Sequence, residues 1–113
     1  MIVKDAEATL QFLEAVFGAA RLRVHAREEG SGIAHAEARI DDTVIMMGEM
    51  PEAGEANVHV YVADADAVFE RAIQAGGRIV QEMTRSGDGD YRGGVADGNG
   101  GVWWISTQES YQE

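Results

Sequence analysis

Cysteine is absent from this chain, so disulfides and thiolate metal sites are excluded and redox compartment leaves no trace. Proline occurs once, at Pro51, and no long polar or low-complexity tract is present. Disorder is therefore expected only at the last residues, Glu109 to Glu113. No apolar run approaches the ~20 residues that a membrane-spanning helix needs. The opening Met1-Ile2-Val3-Lys4-Asp5 does not read as a signal peptide. A soluble, cytoplasmic protein is the expectation. Basic residues are also scarce, with 9 Lys and Arg against 20 Asp and Glu, for a net charge of −11. That field repels phosphates and argues against nucleic acid as a partner. It steers cations toward the protein, although most individual acids simply solubilise the surface.

What is present is a repeat. Val3-Lys4-Asp5-Ala6-Glu7-Ala8 reads again as Val62-Ala63-Asp64-Ala65-Asp66-Ala67. The same offset carries Leu10 onto Phe69, Glu14 onto Ile73 and Gly18 onto Gly77. Each copy runs from a strand end through a helix cap to a glycine stop. Two similar halves can close a shared cavity, which points to a small-molecule site. With 113 residues and 45% hydrophobic content the chain makes one domain. Repeat one spans 1–50, a linker 51–56 and repeat two 57–107.

The elements follow from periodicity. Asp5 is a good N-cap, and Ala6, Leu10, Leu13 and Phe17 form one apolar helix face that ends at Gly18. Asp64 repeats the cap, and Ala65, Val68, Phe69, Ala72 and Ile73 repeat the stripe before Gly76-Gly77. Alternation predicts strands at 21–27, with Leu22, Val24 and Ala26 on one face, and at 33–40. On the second of these, Ala34, Ala36, Ala38 and Ile40 share the helix side, leaving Ile33, His35, Glu37 and Arg39 opposite. Asp41-Asp42 predicts a tight turn into a strand at 43–47. Further strands are predicted at 57–63, 78–83, 91–97 and 101–106. The loop 86–90 lies between two of them, and the turn Asp97-Gly98-Asn99-Gly100 closes the last pair. Three strands after each helix cannot form an all-parallel sheet, so the class is α+β: two βαβββ repeats forming a cupped mixed sheet. The first strand, Met1 to Val3, is short against a typical strand of about six residues.

A doubled βαβββ unit resembles the vicinal oxygen chelate superfamily, which includes glyoxalase I, extradiol dioxygenases and bleomycin-resistance proteins. The residues that carry the resemblance are Asp64 through Gly77, Arg92, Val95-Ala96-Asp97-Gly98-Asn99-Gly100, and Trp103-Trp104-Ile105. In the first half, Phe12 through Gly18 and His35-Ala36-Glu37 are similar to an uncharacterised, glyoxalase-like bacterial branch. One departure is Gly98, where the family usually has proline. The resemblance implies cupped sheets that pair, often as homodimers, around a site. It also implies four metal-ligand positions: one preceding Met1, then Met46, Asn57 and Trp104. None of these three residues is a normal ligand for the divalent ions such enzymes use, so no cofactor is expected.

Alternation then sorts the remaining side chains. If Asn57 faces the cavity, so do His59 and Tyr61. If Met46 does, so do Val44 and Gly48. If Trp104 does, so do Val102 and Ser106, leaving Trp103 and Ile105 as core. The candidate ligand-binding residues are Trp104, Tyr61, His59, Met46, Asn57, His35 and Glu37. Tryptophan and methionine at such positions are more often core, and a strand histidine is more often structural. His25, among Arg21, Arg23 and Arg27, reads as surface. The loop at 86–90 lacks lysine and precedes a strand, so it does not read as a phosphate loop. Three functions fit: a metal-independent binding protein of the bleomycin-resistance type for a cationic or aromatic molecule, a metal enzyme using His35, Glu37 and His59 to hold a divalent ion, or a metal-free isomerase or lyase with His59 as base.

Overall fold

The structure is a computed structural model and describes residues 1–85, 87 and 89–108. The tail expected to be disordered, 109–113, and two positions of the 86–90 loop lie outside the described residues.

Local chemistry sets both helices where the spacing predicts them. Helix α1 (Ala6–Phe17) starts where the Asp5 carboxylate accepts the Ala8 amide at 3.1 Å. It stops at Gly18, whose φ of 66° is the left-handed conformation that glycine adopts without strain. Helix α2 (Ala65–Gln74) is capped by Asp64 in the same way. Its left-handed stop is Gly76, with φ 96°. Gly77, the position equivalent to Gly18, serves a different need: a Cβ there would collide with Val95 and the Ala72 carbonyl.

The strands are β1 (Ile2–Val3), β2 (Ala20–Ala26), β3 (Ile33–Ile40), β4 (Thr43–Glu49), β5 (Ala56–Tyr61), β6 (Arg78–Arg85), β7 (Asp90–Ala96) and β8 (Gly101–Gln108). They form two four-stranded sheets, ordered β1-β4-β3-β2 and β5-β8-β7-β6. In each sheet the strand before the helix pairs in parallel with the last strand of its half, and the other pairings are antiparallel. The two expected βαβββ halves are thus present, and the class is α+β.

The halves meet through their helices and one turn. Trp103, fully buried, sits against Phe12 and Phe17 with ring centroids 6.3 and 5.9 Å away. The Arg71 Nε donates to the Val16 carbonyl at 3.0 Å. Buried Asn99 donates to the Thr9 hydroxyl at 2.6 Å and to the Asp5 carbonyl, while its own carbonyl accepts the Lys4 amide. Gly98 in this turn has φ 74°, which proline, fixed near −65°, cannot adopt.

Helix packing fills one side of each sheet. Ala36 and Ala38 are fully buried and Ile40 nearly so, as expected, but Ala34 is exposed. The simple alternation expected for β2 is broken by register shifts between Arg21 and Val24 and between His25 and Ala26. The first shift sends Arg21 to the helix side, where it bonds Glu7 and Glu14, and leaves Arg23 and His25 on the open side. Leu22 and Val24 are exposed rather than forming a buried face.

Candidate functional site

The helix-free side of each sheet is open. Met46 on the first sheet and Tyr61 on the second are each 54% exposed, so within one chain neither sheet caps the other. The seven candidates divide between the two faces. His35, Glu37 and Met46 lie on the first, and Asn57, His59, Tyr61 and Trp104 on the second.

The second face is organised by strand register. His59 is opposite Trp104, and Trp104 is opposite Gly94. The indole ring lies over Gly94, where a Cβ would stand only 2.7 Å from a ring carbon. Its Nε1 donates to the Asn57 side-chain oxygen at 2.9 Å. The His59 ring stacks beside it at 6.1 Å and 19°. Trp103 and Ile105, on the opposite side of the strand, are fully buried, as their alternation requires. One residue row further, Tyr61 and Arg92 flank Ser106. Tyr61 donates to Asp90 at 2.7 Å, and Arg92 reaches the same carboxylate oxygen at 3.5 Å. Asp90 is 5% exposed and Ser106 fully buried. Among the described residues the Ser106 hydroxyl finds no hydrogen-bond partner, which marks the floor of this row as polar.

On the first face, His35 Nε2 and a Glu37 carboxylate oxygen are 2.8 Å apart. Arg23 approaches the same oxygen at 3.4 Å, and the His25 ring lies 6.3 Å from that of His35. The His35 hydrogen bond, helped by the Arg23 charge, holds the Glu37 carboxyl below its usual range despite burial. Met46 is the cross-strand neighbour of Glu37. Met47, not Met46, is the core methionine.

His35 and Glu37 are therefore brought together, whereas His59 joins Trp104 and Asn57 on the other sheet. Among the described residues no three His, Asp or Glu side chains form a group able to hold a metal ion. The alternative His35, Glu37 and His59 set is not assembled within one chain.

A cleft of about 340 Å³ separates the β3–β4 turn from β5. Asp41, Asp42, Ile45, Val58, His59 and Tyr61 are among its lining residues. The two aspartates read from sequence as a tight turn, and the structure confirms the turn with Asp41 at φ 52°. Their role as a cleft wall depends on β5, which no local pattern connects to them. Asp90 and Gly94 were equally silent. Only the register with Tyr61 and Trp104 gives them meaning.

This doubled, open-faced fold defines a class, and the sequence comparison agrees. The Glyoxalase family, described as the Glyoxalase/Bleomycin resistance protein/Dioxygenase superfamily, matches residues 1–105, and the chain belongs to it. An uncharacterised protein of Mycobacterium bovis is 31% identical over 117 residues, covering 91% of this chain and 76% of that protein. Among solved structures, TioX from Micromonospora sp. ML1 shares 26% identity with a TM-score of 0.77, covering 96% of this chain and 94% of that one. The fosfomycin resistance protein FosX from Listeria monocytogenes has the same fold at 17% identity, with a TM-score of 0.79 and coverage of 97% and 89%.

Proposed function

We propose that the protein is a metal-independent small-molecule binding protein of the bleomycin-resistance type, taking a flat, cationic aromatic ligand on the second sheet's open face. The observation that carries this reading is Trp104. A partly exposed indole is held by Asn57, bedded on Gly94 and flanked by His59. A ring fixed in advance loses little freedom when a ligand stacks on it. The adjoining cleft supplies Tyr61 for a cation–π contact and Asp41 and Asp42 for countercharge. Its volume is at the lower end for small-molecule sites. The chain's net charge of −11 favours approach of such a ligand. A homodimer is the assembly we assign, because Ile2, Val44, Met46 and Tyr61 leave apolar area on the open faces for a second copy.

The test is tryptophan fluorescence with ethidium as the first cationic aromatic probe, followed by a neutral ring of similar size. Trp103 is fully buried, so quenching reports on Trp104. Saturable quenching that favours the cation and disappears in Trp104→Ala supports the reading. Equal, non-saturable quenching by both probes overturns it.

A further inference from the structure

The chain's few cations are almost all engaged. Arg21 bonds Glu7 and Glu14, Arg23 reaches Glu37, and Arg27 and Arg71 donate to backbone carbonyls. Arg85 lies over the Tyr91 ring, and Arg92 meets Asp90. Of the 9 basic residues, Lys4, Arg39 and Arg78 are left without a side-chain partner among the described residues. Lys4, the single lysine of the sequence, and Arg78 line the same cleft, of about 180 Å³.

That cleft lies where the two halves and the segment joining them meet. Lys4 follows β1, Arg78 opens β6, Gly98 and Gly100 belong to the β7–β8 turn, and Gly54 and Glu55 precede β5. The Lys4 amide donates to the Asn99 carbonyl at 3.0 Å, and the Ala56 amide to the Gly100 carbonyl at 2.8 Å. The walls are thus tied to one another through backbone. A Cβ on Gly100 would stand 3.3 Å from the Gly54 and Ile2 carbonyls, so glycine lets the turn approach this closely. Among the described residues the amides of Gly54, Glu55, Gly98 and Gly100 meet no acceptor. The neighbouring Asp97 carboxylate is already taken by the Asn99 and Gly101 amides and the Trp103 indole. Of the lining residues only Glu55 is acidic.

We propose that this cleft binds a small, doubly charged oxyanion: inorganic phosphate or the phosphate group of a phosphomonoester. Lysine and arginine side chains only donate hydrogen bonds, and the arginine fork matches phosphate oxygens. The volume is below the ~300 Å³ at which drug-sized sites begin, so the cleft suits a single head group rather than a ring system. The net charge of −11 opposes an anion at long range. At physiological salt, exposed charges more than ~8 Å apart are largely screened, whereas Lys4 and Arg78 act at contact. The bound ion bridges Lys4 of the first half and Arg78 of the second, adding a tie beside the Asn99 clasp. None of Ile2, Val44, Met46 and Tyr61, the residues assigned to a second copy, lines this cleft. It shares no residue with the Trp104 face either, so failure of either proposal leaves the other standing.

The experiment is calorimetric titration of the full chain with inorganic phosphate and, separately, glycerol 3-phosphate, at constant ionic strength set with sodium chloride. Saturable binding is expected. Binding of inorganic phosphate alone identifies the free ion as the ligand, and binding that includes glycerol 3-phosphate identifies a phosphate head group. Lys4→Gln and Arg78→Gln should each weaken binding about tenfold, the loss of one charge-assisted bond. Arg39→Gln removes the same charge from the other unpartnered position and should leave the affinity alone, which separates a built site from net charge. Glu55→Gln should tighten binding. In the parent protein, phosphate should shift the nitrogen-15 NMR signals of the Gly54, Gly98 and Gly100 amides, a readout that needs no variant. Heat no greater than that of added chloride, equal weakening by Arg39→Gln, unchanged affinity in Lys4→Gln and Arg78→Gln, or unshifted glycine signals would each overturn the proposal.

Discussion

Glu37 is a charged side chain enclosed by its own sheet, tolerable because His35 and Arg23 share its load. Its carboxyl is held below the ordinary range by those partners. The stability it contributes is therefore complete above the unfolded value of about 4.3 and is lost as pH falls through the lower folded value. Thermal midpoints of the parent and Glu37→Gln should differ at pH 6 and converge as the pH is taken well below 4. A difference that stays constant to pH 3 would contradict this. Gly94 makes a second prediction at this scale. In Gly94→Ala the new methyl occupies the bed of the Trp104 ring. The indole must lift or turn, and ethidium affinity should fall about tenfold, equivalent to about 1.4 kcal/mol, with far-UV circular dichroism unchanged. Period-two alternation put Trp103 and Trp104 on opposite sides of the strand, and the family resemblance singled out Trp104 as the one facing the cavity. The bed beneath Trp104 was not legible, because Gly94 is ten residues away and meets it only through pairing of β7 with β8.

At the level of elements, the helices were the most legible parts, since a cap, a stripe and a glycine stop are all local. Glu49 shows where local reading fails. It lies beyond the strand expected at 43–47, but it is the last residue of β4. Its two carboxylate oxygens accept the Ala6 amide at 2.7 Å and the Ile33 amide at 2.9 Å, joining the start of α1 to the start of β3. Glu49→Ala should cost about 1–3 kcal/mol, as expected when partners of a charged acceptor are left unpaired, and Glu49→Gln should recover part of it. Denaturant midpoints at constant slope are the measurement. The irregular strand β2 was equally hidden. Its bulge places Arg21 against Glu7 and Glu14 and Arg23 against Glu37, a division of labour that strict alternation would forbid.

For the whole molecule, the arrangement of the halves is decisive. They pack helix to helix and are clasped by the Asn99 turn, giving an elongated body of 57 × 25 × 22 Å with both cups open. The proposed homodimer would cover the exposed Met46 and Tyr61 of the two open faces. Sedimentation velocity should give twice the 12.2 kDa chain mass at micromolar concentration. Met46→Asp should return the protein to the monomer without unfolding it. A monomeric parent at all concentrations would count against the dimer. Asn99→Ala should loosen the clasp, lowering stability by about 1–3 kcal/mol through the buried Thr9 hydroxyl left behind.

By itself the sequence determined the α+β class, the doubled βαβββ pattern, both helix ends and that Trp103 and Trp104 fall on opposite sides of their strand. Those follow from caps, glycines and periodicities that act within a few residues. The tertiary structure alone decided that the face shared by His35 and Glu37 and the face shared by His59 and Trp104 belong to separate sheets. It alone brought Asp41 and Asp42 to β5, and put Asp90 under Tyr61. These are contacts between residues distant in the chain. Strand order, register shifts and helix packing set them, and no local pattern encodes such distances.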